Sequence, residues 1–161
     1  MNAISNLHNQ VQRDEKGIAH VVGISGGKDS VCLALALKER EPRPYNYVFT
    51  PTGDELPEMV EHMKRVEEML EAPIIHLTNG TLASVIEDNK ALPSFRMRFC
   101  TRTLKLKPAG AFFETVTPVV VYVGLRSDED EREGTRPGGD SASIQADVTQ
   151  DFPFQRWGWG L

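Results

Sequence analysis

The chain has 161 residues, a formal net charge of −5, and 40% hydrophobic against 25% charged residues. That length suits one domain with its own core, and the acidic balance argues against a general nucleic-acid-binding surface. No apolar run approaches the roughly 20 residues of a membrane helix, residues 1–16 form a polar extension without the apolar segment of a signal peptide, and Cys32 and Cys100 supply neither a disulfide framework nor a metal quartet. The expectations are a reducing cytoplasmic setting, no membrane and no nucleic-acid partner, with residues 17–161 as a single domain.

In chain order, Ala19 to Ile24 reads as a buried strand and Lys28 to Arg40 as a nearly all-apolar, well-covered helix. Cys32 falls on that helix, where a small buried hydrophobe is the expected role. Tyr45 to Thr50 is a second strand. Asp54 can cap a helix running to about Leu70, with Met59, Met63, Val66 and Leu70 on one face. Pro73 to Leu77 is a short third strand, followed by a helix around Leu82 to Asn89. Pro108 suits the first turn of another helix ending near Glu114. Val119 to Val123, continuous and β-branched, is the strongest strand. Strands alternating with helices predict an α/β fold: a doubly wound, mainly parallel sheet that binds ligands at the carboxyl ends of its strands.

The first of those ends carries Ser25-Gly26-Gly27-Lys28-Asp29-Ser30. Two glycines let backbone pass close to a phosphate, Lys28 supplies a point charge, and Ser25 and Ser30 add hydroxyls. A helix starting near Lys28 aims free N–H groups and its positive dipole end at the same anion. Asp29 beside the phosphates suits a magnesium ion bridging them. The two commoner nucleotide motifs are excluded, because Val22 and Asp29 break G-x-x-x-x-G-K-[ST] and Ser25 breaks G-x-G-x-x-G.

From Lys90 to Phe113 there is no acidic residue, yet Lys90, Arg96, Arg98, Arg102, Lys105 and Lys107 are basic. The interleaved Phe95, Met97, Phe99, Leu104 and Leu106 should hold some of these charges near apolar surface, as in an organised anion site. Arg126 follows the fourth strand by a few positions. The Gly/Pro/Ser content of 135–143 predicts a flexible loop near 127–143 that could close over ligand. The histidines His8, His20, His62 and His76 share no metal-ligand spacing.

Ser25 to Ser30 resembles the pyrophosphate loop (PP-loop) of the adenine-nucleotide α-hydrolase superfamily, which includes ATP pyrophosphatases, the catalytic subunit of ATP sulfurylase and phosphoadenosine phosphosulfate reductases. Four further segments extend the resemblance, the first to the superfamily and the other three to the reductase-like group, including its short phage-borne members. Thr52-Gly53 matches two positions of an Asp-Thr-Gly that lies against the nucleoside, with Pro51 in place of the acid and Asp54 or Glu55 as substitutes. Cys100-Thr101-Arg102 with Lys105 and Pro108 resembles the segment whose Arg and Lys hold the substrate's phosphate or sulfate. Gly124 to Glu129 resembles Gly-x-Arg-x-Asp-Glu, which gives Arg126 to the nucleotide phosphates and Asp128 to orienting it or binding metal. Phe152-Pro153-Phe154 matches a C-terminal stretch whose aromatics complete the core or a subunit contact.

The resemblance implies a small-molecule nucleotide ligand, ATP or a sulfonucleotide, with Mg2+. Catalysis would fall to Lys28, Asp29, Arg102, Lys105 and Arg126, with Ser25, Gly26, Gly27, Ser30, Thr52 and Gly53 binding the nucleotide and Asp29 and Asp128 the metal. The expected reaction is attack of an unidentified oxyanion on the α-phosphorus with release of pyrophosphate. No cysteine follows Cys100, and two cysteines cannot hold the four-thiolate iron–sulfur cluster of one reductase branch. Sulfonucleotide reduction would therefore need a thiol from another segment or a thioredoxin-like partner. A nucleotide-binding module without turnover is the non-enzymatic alternative, and homo-oligomerisation is left open.

Overall fold

The computed structural model describes residues 10–126 and 147–160. Five parallel strands form one sheet: β1 (Ala19–Gly23), β2 (Tyr45–Phe49), β3 (Ile74–His76), β4 (Val119–Tyr122) and β5 (Val148–Asp151), in the order β3-β2-β1-β4-β5. Helices α1 (Lys28–Arg40), α2 (Pro57–Leu70) and α3 (Leu82–Asn89) follow the first three strands. A continuous helical stretch over 99–116 precedes β4, composed of α4 (Phe99–Thr101), a π-helical segment (Arg102–Leu106) and α5 (Lys107–Val116). A final turn of helix, α6 (Pro153–Arg156), follows β5. The expected doubly wound α/β architecture is present.

Sequence pattern placed the interior elements well, because β1, β2 and β4 are largely buried and read as mostly apolar runs, broken only by buried His20 and Asn46. Val22, Leu33, Leu37, Tyr47, Met63 and Val66 fill the layer between the sheet and the α1–α2 side. Ala19, Val21, Leu77, Phe112, Val116 and Val119 fill the opposite layer. Pro108 sits in the first turn of α5, as expected, though that helix continues without a break from the π-helical segment and runs to Val116.

Three expectations change. Cys32 is exposed, because Leu33, Ala34, Ala36 and Leu37 are the residues α1 turns inward. Asp54 does not cap α2: the cap position is Leu56, without a side-chain bond, and Pro57 opens the helix. β5 and α6 were not anticipated, because Val-Thr-Gln-Asp carries a single apolar residue and lies at the sheet edge.

The C-terminal segment is fastened to the end of α1. Arg156 donates to Glu41 at 2.6 Å and to Asp151 at 3.0 Å, and the Trp157 indole N–H donates to Glu41 at 3.3 Å. The hydrogen bond from Arg156 holds the Glu41 carboxyl below the usual glutamate range. The Arg40 guanidinium lies 4.5 Å from the Trp159 ring, and Phe154 is buried beneath, so the C-terminal aromatics complete the core as expected.

Phe112→Ala would empty a fully buried site in the second layer. The expected loss is about 3–5 kcal/mol of unfolding free energy, read from urea denaturation.

Candidate functional site

Strand order reverses between β1 and β4: the chain steps outward from β1 to β2 and β3, then returns to place β4 on β1's other side. A crevice at the carboxyl ends of two such strands is where open α/β sheets bind ligands. Two candidate segments emerge there, Ser25–Ser30 after β1 and Gly124–Arg126 after β4.

The Ser25–Ser30 loop is closed by its own hydroxyls. Ser30 Oγ donates to the Gly27 carbonyl at 3.0 Å, accepts the Ser25 N–H at 3.1 Å and lies 3.0 Å from Ser25 Oγ. Ser25 Oγ accepts the Gly27 N–H at 3.3 Å. Gly26 has φ +76°, and a Cβ there would come within 2.5 Å of Met59 Sδ on α2. Glycine is therefore required for its backbone conformation, and a side chain would also have to displace the end of Met59. Gly27 is the N-cap of α1 with no side-chain cap, so the first-turn N–H groups keep their capacity for an external acceptor. Lys28 is exposed beside them.

Asp29 and Arg126 meet: Arg126 donates to Asp29 Oδ2 at 3.0 Å, joining the first turn of α1 to the end of β4. A Cβ on Gly124 would sit 3.5 Å from the Asp29 carbonyl oxygen, so the residues after β4 run close beside the first turn of α1. The structure thus brings Lys28, Asp29 and Arg126 to one place. Asp128, together with the loop near 127–143, lies outside the described residues.

At the end of β2, Thr52 and Gly53 are braced by Glu55 rather than Asp54. The Glu55 carboxylate accepts the Thr52 N–H, the Thr52 hydroxyl at 2.7 Å and the Gly53 N–H at 3.0 Å. Burial pushes this carboxyl up, but the bonds from Thr52 and Gly53 outweigh it and leave it below the usual glutamate value. The Thr52 carbonyl accepts the Leu82 N–H at 2.7 Å, and Gly53, at φ +84°, packs against Thr81. The sequence offered Asp54 and Glu55 equally. Only the path of the turn selects the one whose carboxylate can fold back on the two N–H groups.

Arg102 and Lys105 stand exposed on the π-helical segment. Asn79, just past β3, donates to the Thr103 carbonyl at 2.8 Å and ties that segment to the carboxyl edge of the sheet. Neither side chain bonds to the Ser25–Ser30 loop in this structure. The apolar residues among the basic ones do not all support an enclosed site: Leu104 is buried, but Phe95, Met97 and Leu106 are exposed. A cavity of about 620 Å³ flanks α1, lined by Gly26, Lys28, Cys32, Leu35, His62 and Trp159. It shares Gly26 and Lys28 with the loop but not Arg102, Lys105 or Arg126.

Among the described residues no three of His, Cys, Asp and Glu cluster as a metal site. His20, which carried no assigned role, is buried between Asp14 and Tyr122 at 3.1 and 3.0 Å and serves the core. No helix among the described residues is long and apolar enough to cross a membrane.

A parallel sheet with a glycine-lysine loop at its switch point, capped by an arginine from the neighbouring strand end, defines an α/β domain built to hold phosphate groups. The family model for the phosphoadenosine phosphosulfate reductase domain matches residues 19–159, and the chain belongs to that family, a nucleotide-binding branch of the PP-loop superfamily. It is also similar to the uncharacterized protein MJ0066 of Methanocaldococcus jannaschii, at 27% identity over 137 residues. That alignment covers 84% of this chain and 28% of the relative's length.

Gly26→Ala should weaken nucleotide affinity by about tenfold to a hundredfold in calorimetry, since its φ of +76° strains any side chain. Glu55 should show a definite pH signature. Its folded value is lowered, so its bracing is fully present above the unfolded glutamate range of about 4.3 and is lost as pH falls through the folded value. Glu55→Gln should cost about tenfold in nucleotide affinity at pH 7, and the gap between variant and parent should shrink as pH falls through that lowered value.

Proposed function

We propose that this chain binds ATP or a closely related adenine nucleotide and cleaves it at the α-phosphate. The observation that carries this reading is the convergence of Lys28, the hydroxyl-closed loop and the Asp29–Arg126 pair at the switch point of the sheet. The phosphates would rest on the first-turn N–H groups of α1, between Ser25 and Ser30. An oxyanion acceptor attacks the α-phosphorus, the bond to the bridging oxygen breaks, and pyrophosphate leaves with that electron pair while the adenylyl group passes to the acceptor. Charge builds on the bridging and non-bridging oxygens in such a step, so positioned cations stabilise the transition state more than the ground state.

Lys28 supplies one such cation and Arg126 a second. Arg102 and Lys105, on a segment tied to the same edge of the sheet, would approach as substrate binds. Thr52 and Gly53, braced by Glu55, form the wall for the nucleoside.

Mg2+ suits the donor set: magnesium is commonly held by one or two carboxylates together with substrate phosphates, and Asp29 is a half-exposed carboxylate at the loop. Bound there, it would neutralise phosphate charge. Asp29 would then exchange its contact with Arg126 for the metal, leaving the guanidinium to the phosphates.

Reduction of a sulfonucleotide is a second reading, favoured by the family match itself. It needs a thiol from another segment or a partner, and sulfite release from phosphoadenosine phosphosulfate with a thioredoxin-like donor would distinguish it. For the leading reading, purified protein should release pyrophosphate from ATP. Lys28→Ala and Asp29→Ala should each lower turnover by about a hundredfold or more, and Arg126→Ala by about tenfold to a hundredfold. Unchanged turnover in the first two variants would refute the assignment.

A further inference from the structure

Residues 31–37 of α1 read Val-Cys-Leu-Ala-Leu-Ala-Leu, an unbroken apolar run. Leu33, Ala34, Ala36 and Leu37 turn inward, which leaves Val31, Cys32 and Leu35 toward the outer side of the helix. A helix side open to water ordinarily carries polar and charged residues, so an apolar outer side calls for an occupant. Here it forms the floor of the cavity of about 620 Å³, whose lining is completed by His62 of α2 and Trp159 of the C-terminal segment. A cavity of that size suits an organic ligand, and an ion as small as sulfate would leave most of it empty.

The charges lining this cavity are unevenly placed. Lys28 stands at its phosphate-loop end, while Glu39 and Arg40 stand about 18 Å further along α1. Arg40 lies over the rings of Trp157 and Trp159. Neither Lys28, Glu39 nor Arg40 has a hydrogen-bond or ion-pair partner among the described residues. Glu39 and Arg40 balance each other at the far end. At the loop end Asp29 is already paired with Arg126, so the charge of Lys28 stays uncompensated. The occupant that fits is anionic where it meets Lys28 and apolar along the helix.

We propose that this cavity holds the acceptor of the adenylyl group, and that the acceptor is an organic carboxylate with an apolar chain or ring rather than an inorganic oxyanion. The acceptor role rests on the α-phosphate cleavage proposed above, whereas the binding site stands without it. The apolar body lies along Val31, Leu35 and Trp159, with the carboxylate at Lys28. Gly26 and Lys28 belong to both the cavity and the phosphate loop, so acceptor and nucleotide meet there. One carboxylate oxygen bonds to the α-phosphorus as the bond to the bridging oxygen breaks. Pyrophosphate leaves with that electron pair, and the product is an acyl adenylate.

Trp157 and Trp159 are the two tryptophans of the chain, and Trp159 lines the cavity, so their fluorescence reports its filling. Octanoate should give a saturable change with a dissociation constant below about 1 mM. Leu35→Asp puts a charge on the floor and Cys32→Phe fills it; each should weaken octanoate by about tenfold or more and leave ATP affinity within about twofold. Circular dichroism checks that both variants fold. Lys28→Gln should weaken octanoate by about fivefold and leave octanamide unchanged, since only the acid brings a charge to that end. In ATP–pyrophosphate exchange, octanoate should raise the rate by about fivefold or more and sulfate should not. No saturable change up to about 10 mM octanoate, or one indifferent to both cavity variants, overturns the proposal. So does displacement of octanoate by adenosine, which would give the cavity to the nucleotide's base, or exchange that octanoate does not raise in protein that cleaves ATP. Octanoate bound as expected in protein that neither binds nor cleaves ATP would refute the nucleotide reading and the acceptor role with it, while keeping the organic-anion site.

Discussion

The carboxyl edge of this sheet depends on one backbone reversal, at Gly26. The chain must leave β1, turn within four residues and enter α1 with its first N–H groups facing outward. It does so by adopting φ +76° at Gly26, beside Met59 of α2. A side chain at that position would be strained at this φ and would displace the Met59 thioether. Asp29 reaches Arg126 because the first turn of α1 lies beside the end of β4. The loop hydroxyls then close over a shape already fixed by packing. Preorganisation at this site is inherited from the core rather than added to it.

The other end of α1 is held equally firmly. Glu41, Arg156 and Asp151 tie the C-terminal segment to it, and Arg40 covers Trp159. These side chains are partly exposed, so each ion pair contributes little by itself. Their joint effect is positional: they set β5 and α6 against α1, and through α1 they limit how far the phosphate-loop end can move. Buried Phe154 supplies the apolar contact that makes the charged fastening worthwhile.

What could be read from the sequence follows from burial. β1 and β4 announce themselves because parallel strands covered on both faces must be apolar throughout, and α1 because its register carries Leu33, Ala34 and Leu37 inward. The glycine-lysine loop was legible because its chemistry is local: six consecutive residues make the cradle. Long-range properties were not. Nothing in Val148–Asp151 marks a strand until β4 provides its hydrogen-bond partner. Cys32 looked buried because its neighbours are apolar, yet a helix against one sheet face has an outer side even in an apolar run. The choice of Glu55 over Asp54 rests on where the Thr52–Gly53 turn points its N–H groups, which no spacing rule states. The exposure of Phe95 was hidden for the converse reason, since an aromatic among charges reads as a buried anchor until the turn at Ser94–Met97 is seen to face solvent.

The Asp29–Arg126 pair carries the remaining electrostatic logic. A carboxylate in a phosphate cradle is unfavourable for an incoming polyanion unless a cation stands between them. In this structure Arg126 is that cation, and the pair orients Asp29 at the dipole end of α1, where a negative group is favoured. On the proposed reading, an arriving phosphate would compete with Asp29 for the same guanidinium. That competition would be resolved without loss only if Asp29 gained another positive partner in the same step. A divalent ion carried in with the nucleotide would meet that need, and Lys28, with a flexible stem and no geometric demand on its partner, would follow the phosphates as the contacts change. The Asp29–Arg126 pair would then act as a latch whose opening is coupled to the charge of the ligand. Such coupling would favour polyphosphate bound with its metal over a bare anion of the same size.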